Sequence, residues 1–376
     1  MQTATAPYDV AIVGAGPAGA ACALALARAG VARVVLIDGG GRPGPVIGET
    51  IPPDTRRLLD QLGLWEAFLA EGHLACHGSC SSWGAPALGF NDFVLNPNGP
   101  AWHLDRARFE AFLLEQARKA GAETISARLV GVDEAPDEGL VLRLTTPTSG
   151  AVFLRARFVV DATGPAAALA SRMGARRRIL DRLTFVYGFF DATDAVSSSR
   201  LTLLEATPEG WWYAALLPGE RLAVALAADT ERVKAERLGR DESWLRAALA
   251  TRHLATRLDG CRFLPGALAP RVALSFILDR VSGPRWLAIG DAAACYDPLS
   301  AQGLYKALAD AMTASAAISA ALAQGGDLHK AYGVDAVARF AEYQTNRNYF
   351  YGLERRWPDS AFWGRRQARR DLARAA

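Results

Sequence analysis

Residues 10–38 read VAIVGAGPAGAACALALARAGVARVVLID, and this stretch decides the fold. It predicts a strand, a glycine turn, a helix and a second strand that closes on an acid. Gly14, Gly16 and Gly19 form a G-x-G-x-x-G turn directly after the apolar run Val10–Val13, and Asp38 follows Gly19 by nineteen residues. Strand, turn, helix and acid at this spacing make a dinucleotide-binding fingerprint.

Each position has a physical reason. Gly14 permits the tight turn, Gly16 lets the backbone approach a pyrophosphate with no Cβ in the way, and Gly19 lets the helix pack closely on the strand. Pro17 and Ala18 belong to the same turn, and the electropositive helix N-terminus there suits the pyrophosphate. Asp38 can accept hydrogen bonds from both ribose hydroxyls and would repel a 2′-phosphate. FAD or NAD(H) therefore fits, and NADP(H) does not.

At 376 residues the chain is long enough for two or three structural units. A hydrophobic content of 51% with 22% charged residues is that of an ordinary globular protein. The net charge of +3 gives no reason to expect a polyanionic partner such as nucleic acid. The start MQTATAPYD lacks the basic region of a secretion signal. The uncharged stretch 10–27 has the length of a membrane span, but its phased glycines and Pro17 argue for the nucleotide turn instead. Five scattered cysteines, an odd number, point to a reduced, cytoplasmic setting. His73, Cys76, His77 and Cys80 fall within HLACHGSC, but no second cluster accompanies them, so no metal site is expected.

The expected fold class is α/β, with boundaries near 175, 280 and 325. Residues 1–175 and 281–325 would form a discontinuous Rossmann-like domain. Residues 176–280, rich in alternating segments such as RLTFVYGFFDA and GWWYAALLPG, predict an inserted antiparallel sheet, and 326–376 predict C-terminal helices. Further expectations are a helix started by Pro52 and Pro53, a strand over 92–95, a helix from 105 to 121 capped by Asp105, and a helical stretch over 242–258. ETISARLVGV, GLVLRLTT and AVFLRARFVV predict a three-stranded meander that runs into Asp161–Gly164. Arg365, Arg366, Arg369, Arg370 and Arg374 predict a solvated face or a frayed tail. Trp211 and Trp212, being consecutive, must face opposite sides of their strand.

The order GAGPAG, an acid after the second strand, GET-x-PP, HLDRARFE, DATG and GDAAACYDPLSAQG resembles the FAD-dependent monooxygenases of the p-hydroxybenzoate-hydroxylase-like fold, over residues 8 to about 325. Within that superfamily GET-x-PP, SSWG, GWWYAALLPG and DPLSAQG are most similar to the flavin halogenases and the hydroxylases of protein-bound tryptophan in quinone-cofactor maturation. The resemblance implies FAD, with Gly290 and Asp291 at the ribityl chain, and Pro298, Gly303 and Leu304 at the isoalloxazine. Arg106 and the backbone at Val130 would contact the pyrophosphate or adenosine side, and Gly48, with Glu49 and Thr50, lies in a loop that could bend back over the cofactor. It also implies hydroxylation of an aromatic substrate through a flavin C4a-hydroperoxide, the substrate being a small molecule or a tryptophan side chain of a peptide or protein. Trp211, Trp212 and Tyr296 are the expected substrate contacts, and His103 and Glu49 the expected acid–base groups.

Three alternatives share the scaffold. A halogenase would need a lysine in the segment after the second strand and a W-x-W-x-I-P signature, and this chain has no lysine before Lys119 and reads WWYAALLP. An isoprenoid-type reductase would need a long apolar tunnel. A flavoprotein that binds FAD and a partner without turnover is the third. No second G-x-G-x-x-G is present, so electrons would come from NAD(P)H bound transiently or from a separate flavin reductase.

Overall fold

The computed structural model describes residues 6–40, 48–135, 139–147, 150–195, 199–324 and 328–368. Five strands run parallel in the order Glu123–Ser126, Val34–Asp38, Tyr8–Val13, Gly150–Asp161 and Trp286–Ala288. The runs Val10–Val13, Val34–Ile37, Phe158–Asp161 and Trp286–Ala288 are buried on both faces, as a sheet covered by helices requires, while the edge strand Glu123–Ser126 is not. Strand order reverses at Tyr8–Val13, whose neighbours are Val34–Asp38 on one side and Gly150–Asp161 on the other. A ligand crevice is expected beyond the carboxyl ends of strands at such a reversal. The glycine turn leaves one of those ends, and the turn 161–164 leaves the other.

The second sheet has eight strands, in the order Ala294–Cys295, Arg262–Leu278, Arg177–Asp191, Arg221–Ala228, Gly210–Leu217, Thr202–Thr207, Gly78–Ser82 and Gly89–Asp92. All its pairs are antiparallel except Thr202–Thr207 with Gly78–Ser82. The inserted sheet thus recruits residues 78–92 and 294–295 from outside 176–280. A three-stranded sheet is formed by Thr50–Ile51, Ala101–His103 and Leu74–Cys76.

Several local expectations change. ETISARLVGV breaks at Ala127: Glu123–Ser126 joins the parallel sheet beside Val34–Asp38, and only Arg128–Ala135 enters the meander. The strand placed over 92–95 is Gly89–Asp92, and the Asp92 carboxylate instead accepts the Val94 N–H and turns the chain. The helix after Pro52 and Pro53 starts at Thr55, stops at Gln61 ahead of Gly63 at φ +58°, and resumes over Trp65–Leu69. The stretch 242–258 is two helices, Asp241–Leu249 and His253–Arg257, because the Glu205 carboxylate accepts the N–H groups of residues 252–254 and starts a new helix there.

The arginine-rich end is also reassigned. Arg369, Arg370 and Arg374 lie outside the described residues, but Arg366 is no solvated residue: its side chain is 1% exposed, with Nε 2.9 Å from Asp181 and Nη2 2.8 Å from Asp229. Helix Ala361–Gln367, capped by Ser360, seals Phe362 and Trp363 against the second sheet. Among the described residues no helix is long and apolar enough to cross a membrane, and all five cysteines are free thiols.

Candidate functional site

The three fingerprint glycines divide by what surrounds them. Gly14 sits at φ +112°, and a Cβ there would stand 2.3 Å from the Ala162 carbonyl oxygen. At Gly19 a Cβ would fall 1.9 Å from the Gly14 oxygen. The chain's own packing therefore demands both. At Gly16 a Cβ would meet nothing within 4 Å among the described residues. That open side belongs to the N-cap of helix Pro17–Arg28, whose first turn carries no acid, so a pyrophosphate can be received there. Asp38 ends the next strand, and its Oδ1 accepts the Gly40 N–H at 2.9 Å.

The return segment packs directly on this turn. Gly290 adopts φ +57°, and a Cβ there would stand 2.9 Å from the Ala18 Cβ, which brings Asp291 beside the start of the first helix. The Asp291 carboxylate is partly exposed and lies 3.5 Å from the Lys306 ammonium. Pro298 is exposed and opens a single 3-10 turn capped by Asp297, whose Oδ1 accepts the Leu299 N–H at 3.0 Å. Gly303, with open space at its Cβ position, begins the 22-residue helix Gly303–Gln324, and Leu304 is buried behind it. An open helix start and a carboxylate on one side of a glycine turn fit a dinucleotide whose ring continues along this segment.

The segment 48–50 is held by Arg106 on one side and by the second sheet on the other. Arg106, held on a helix start by the Asp105 cap, donates from Nη1 to the Gly48 carbonyl at 2.8 Å and from Nη2 to Glu110 at 2.6 Å. Glu49 is 3% exposed; its Oε2 accepts the Gly48 N–H at 3.1 Å, and its Oε1 has no hydrogen-bond partner among the described residues. Burial pushes its carboxyl above the usual range, against the pull of Arg106 and Arg221. Thr50 Oγ1 lies 2.8 Å from the Tyr213 hydroxyl and ties this segment to the second sheet.

Other expected site residues are placed elsewhere. His103 is fully buried, with Nδ1 2.8 Å from the Leu216 oxygen and Nε2 2.8 Å from Thr202 Oγ1. Both ring nitrogens are engaged, so its geometry is that of a structural link between two sheets and leaves nothing to reach a substrate. Trp211 and Trp212 face opposite sides, and both are closed over. Trp212 packs 5.5 Å from Trp244, while Trp211 donates to the Tyr351 hydroxyl at 3.2 Å and lies 5.3 Å from Phe185. Tyr296 is stacked on Tyr343 at 4.0 Å, with Lys306 over its ring. These three rings are packing groups here. The Val130 side chain is exposed, and its carbonyl accepts from Arg172.

Two residues of this region are not singled out by the sequence pattern. Tyr213 sits inside GWWYAALLPG with no local signal to separate it from the other aromatic residues. Lys306 carried a usable signal, being one of four lysines in a chain of arginines and three residues beyond Gly303. The open cleft of about 350 Å³ lined by Thr184, Val233, Arg237 and Pro270 shares no residue with this site.

A family described as "FAD binding domain" matches residues 7–346. LodB of Marinomonas mediterranea, whose name describes an FAD-dependent oxidoreductase, is 27% identical over 365 residues, which is 96% of this chain and 97% of LodB. The solved flavin-dependent halogenase CmlS superposes with a TM-score of 0.85 at 25% identity, over 98% of this chain and 69% of its own. The peptidyl tryptophan dihydroxylase QhpG superposes with a TM-score of 0.74 at 24% identity, over 98% of this chain and 80% of its own, a likeness of fold.

Proposed function

The chain belongs to the FAD-binding-domain family and is a flavin-dependent oxidoreductase, and within that class we propose that it hydroxylates an electron-rich aromatic ring. The glycine turn and the N-terminus of helix Pro17–Arg28 would hold the pyrophosphate, Asp38 the adenosine ribose, and Asp291 the ribityl chain. Pro298 and the amides near Gly303 and Leu304 would face the isoalloxazine. Reduced FAD supplies activation of O₂ and transfer of one oxygen atom.

The protein's tasks are to exclude water and to place the substrate. Glu49 is the acid–base group we assign, because it is sealed, holds its proton above the usual carboxylate range and keeps one oxygen unpartnered. The observation that carries hydroxylation over halogenation is the lysine distribution. None lies between Asp38 and Lys119, and of the lysines whose side chains are described, Lys119 pairs with Glu115, Lys234 is exposed, and Lys306 is buried against two aspartates. No described amine is set to relay a hypohalous acid to a substrate.

The finer reading is a tryptophan side chain of a peptide or protein as substrate, supported by the likeness to QhpG and by the subgroup motifs. Electrons would come from NAD(P)H or from a separate flavin reductase. Halogenation is the second reading, favoured by CmlS and by curated halogenases at 26–27% identity. Protein supplied with reduced FAD, O₂ and tryptophan-containing peptides, with and without bromide, separates them by mass spectrometry. Oxygen addition independent of bromide supports hydroxylation. Bromine incorporation, or no oxygen use beyond free flavin, overturns it.

A further inference from the structure

Lys306 is an unusual residue for its place. Its side chain is 5% exposed, with Nζ 3.5 Å from Asp291 Oδ1, 3.8 Å from Asp310 Oδ2 and 5.1 Å from the centre of the Tyr296 ring. At these distances Nζ makes no hydrogen bond of ordinary length to an atom of the described residues. Burying an ammonium is costly unless neighbouring charge compensates it, so a lysine held this deep reports an acid that needs it.

The two acids differ in that need. Asp310 is buried and is already met by Arg339 at 3.2 Å and by the Gly290 N–H at 3.0 Å. Asp291 has Lys306 as its only ion-pair partner among the described residues. Asp291 is also the one of the two with an open side, at 38% side-chain exposure. Lys306 therefore lies against Oδ1 of a carboxylate that is itself partly exposed beside the glycine turn. Without that cation, Asp291 would sit near the negative Asp310 with nothing to draw it inward.

We propose that Lys306 is a positioning residue for FAD: its buried ammonium holds the Asp291 carboxylate turned to accept hydrogen bonds from the ribityl hydroxyls. The proposal rests on the FAD-binding role assigned to Asp291, and not on the reaction that follows.

The test is a double-mutant cycle on FAD affinity, read by flavin fluorescence on the full-length apoprotein. K306M is expected to weaken FAD binding by about 10- to 100-fold, the range for a hydrogen bond to a charged group. D291N is expected to lose a similar factor, and K306M/D291N to bind within about twofold of D291N alone. A K306M loss that persists undiminished in the D291N background would make Lys306 a merely structural residue and overturn the proposal, as would unchanged affinity in K306M. If K306M does not fold, K306Q takes its place in the same cycle, because it keeps most of the stem and removes the charge. Wild-type affinity in D291N would overturn the role of Asp291 and the proposal with it. No arm measures turnover, so failure of the hydroxylase reading leaves this test untouched.

Discussion

Arg347 Nε stands 3.3 Å from Asp297 Oδ2, with the two side chains 4% and 1% exposed. The pair joins helix Leu328–Leu353 to the turn that precedes Pro298. Tyr351 donates to the same carboxylate oxygen at 2.9 Å, and the Asp297 N–H donates to the Tyr343 hydroxyl at 2.7 Å. The other end of Arg347 reaches Asp181 on the long strand Arg177–Asp191. One buried guanidinium thus ties the C-terminal helix, the second sheet and the turn assigned to the isoalloxazine.

Replacing that guanidinium tests the connection. R347M leaves Asp297 and Asp181 without this partner, one of them sealed, and is expected to cost about 3–5 kcal/mol in urea unfolding. A loss under about 1 kcal/mol would show that the pair is no stronger than a surface bridge.

Arg365 and Arg366 make an internal control. Arg365 is 55% exposed although it reaches Asp229, whereas Arg366 is 1% exposed and bridges Asp229 to Asp181. R365A is expected to change stability by less than about 1 kcal/mol. R366A is expected to cost several times more, because it removes a buried guanidinium linking Asp181 to Asp229 and leaves each of them with one cation fewer, Asp181 keeping Arg347 and Asp229 keeping Arg365.

What could be read from the chain follows from how local each signal is. The glycine turn, Asp38, the Asp105 cap and the helix at Gly303 are set by neighbours a few residues away, and all stand where the pattern placed them. Arg366 could not be read so, since its partners lie 185 and 137 residues earlier. A run of arginines looks the same whether it meets water or buried acids. The surroundings of His103 were hidden for the same reason: its neighbours in the chain are motif residues, and its partners Thr202 and Leu216 come from the second sheet. Trp211 and Trp212 were legible in direction but not in what covers them.

The fingerprint glycines predict opposite phenotypes. G19A would drive a Cβ to 1.9 Å from the Gly14 oxygen, and it is expected to cost more than about 4 kcal/mol or to prevent folding. G16A meets open space at φ −70°. Its apoprotein should stay within about 1 kcal/mol of wild type, since the change is one of N-cap residue alone. FAD affinity in G16A should fall by about tenfold or more, because the added methyl stands where the pyrophosphate approaches. Thermal melts of apoprotein with FAD titrations separate the two effects.

Acid stability should carry the signature of His103. Burial, with a smaller contribution from Arg257, pushes its imidazole down to about 4 from an ordinary 6.5. Between those values the unfolded chain binds the extra proton. The stability from this group is therefore complete above pH 6.5 and is lost as pH falls toward 4, by about 3 kcal/mol at most. In H103N the unfolding free energy should differ less between pH 7 and pH 4.5 than in wild type. Some slope will remain, because burial also pushes His73 down to about 4.

Glu49 shifts the opposite way, and the sign separates an acid–base role from loop anchoring. Its folded carboxyl keeps its proton where the unfolded chain has lost it. Its contribution to stability is thus full below the unfolded value and declines as pH rises through the folded one. E49Q is permanently neutral and should flatten that decline in melts of the apoprotein. The same change removes a transferable proton while nearly preserving shape, so single-turnover hydroxylation should fall by about 100-fold or more. If instead E49Q flattens the melt profile and still hydroxylates at the wild-type rate, Glu49 only anchors the segment between Gly48 and Thr50, and the proton must come from another group or from water.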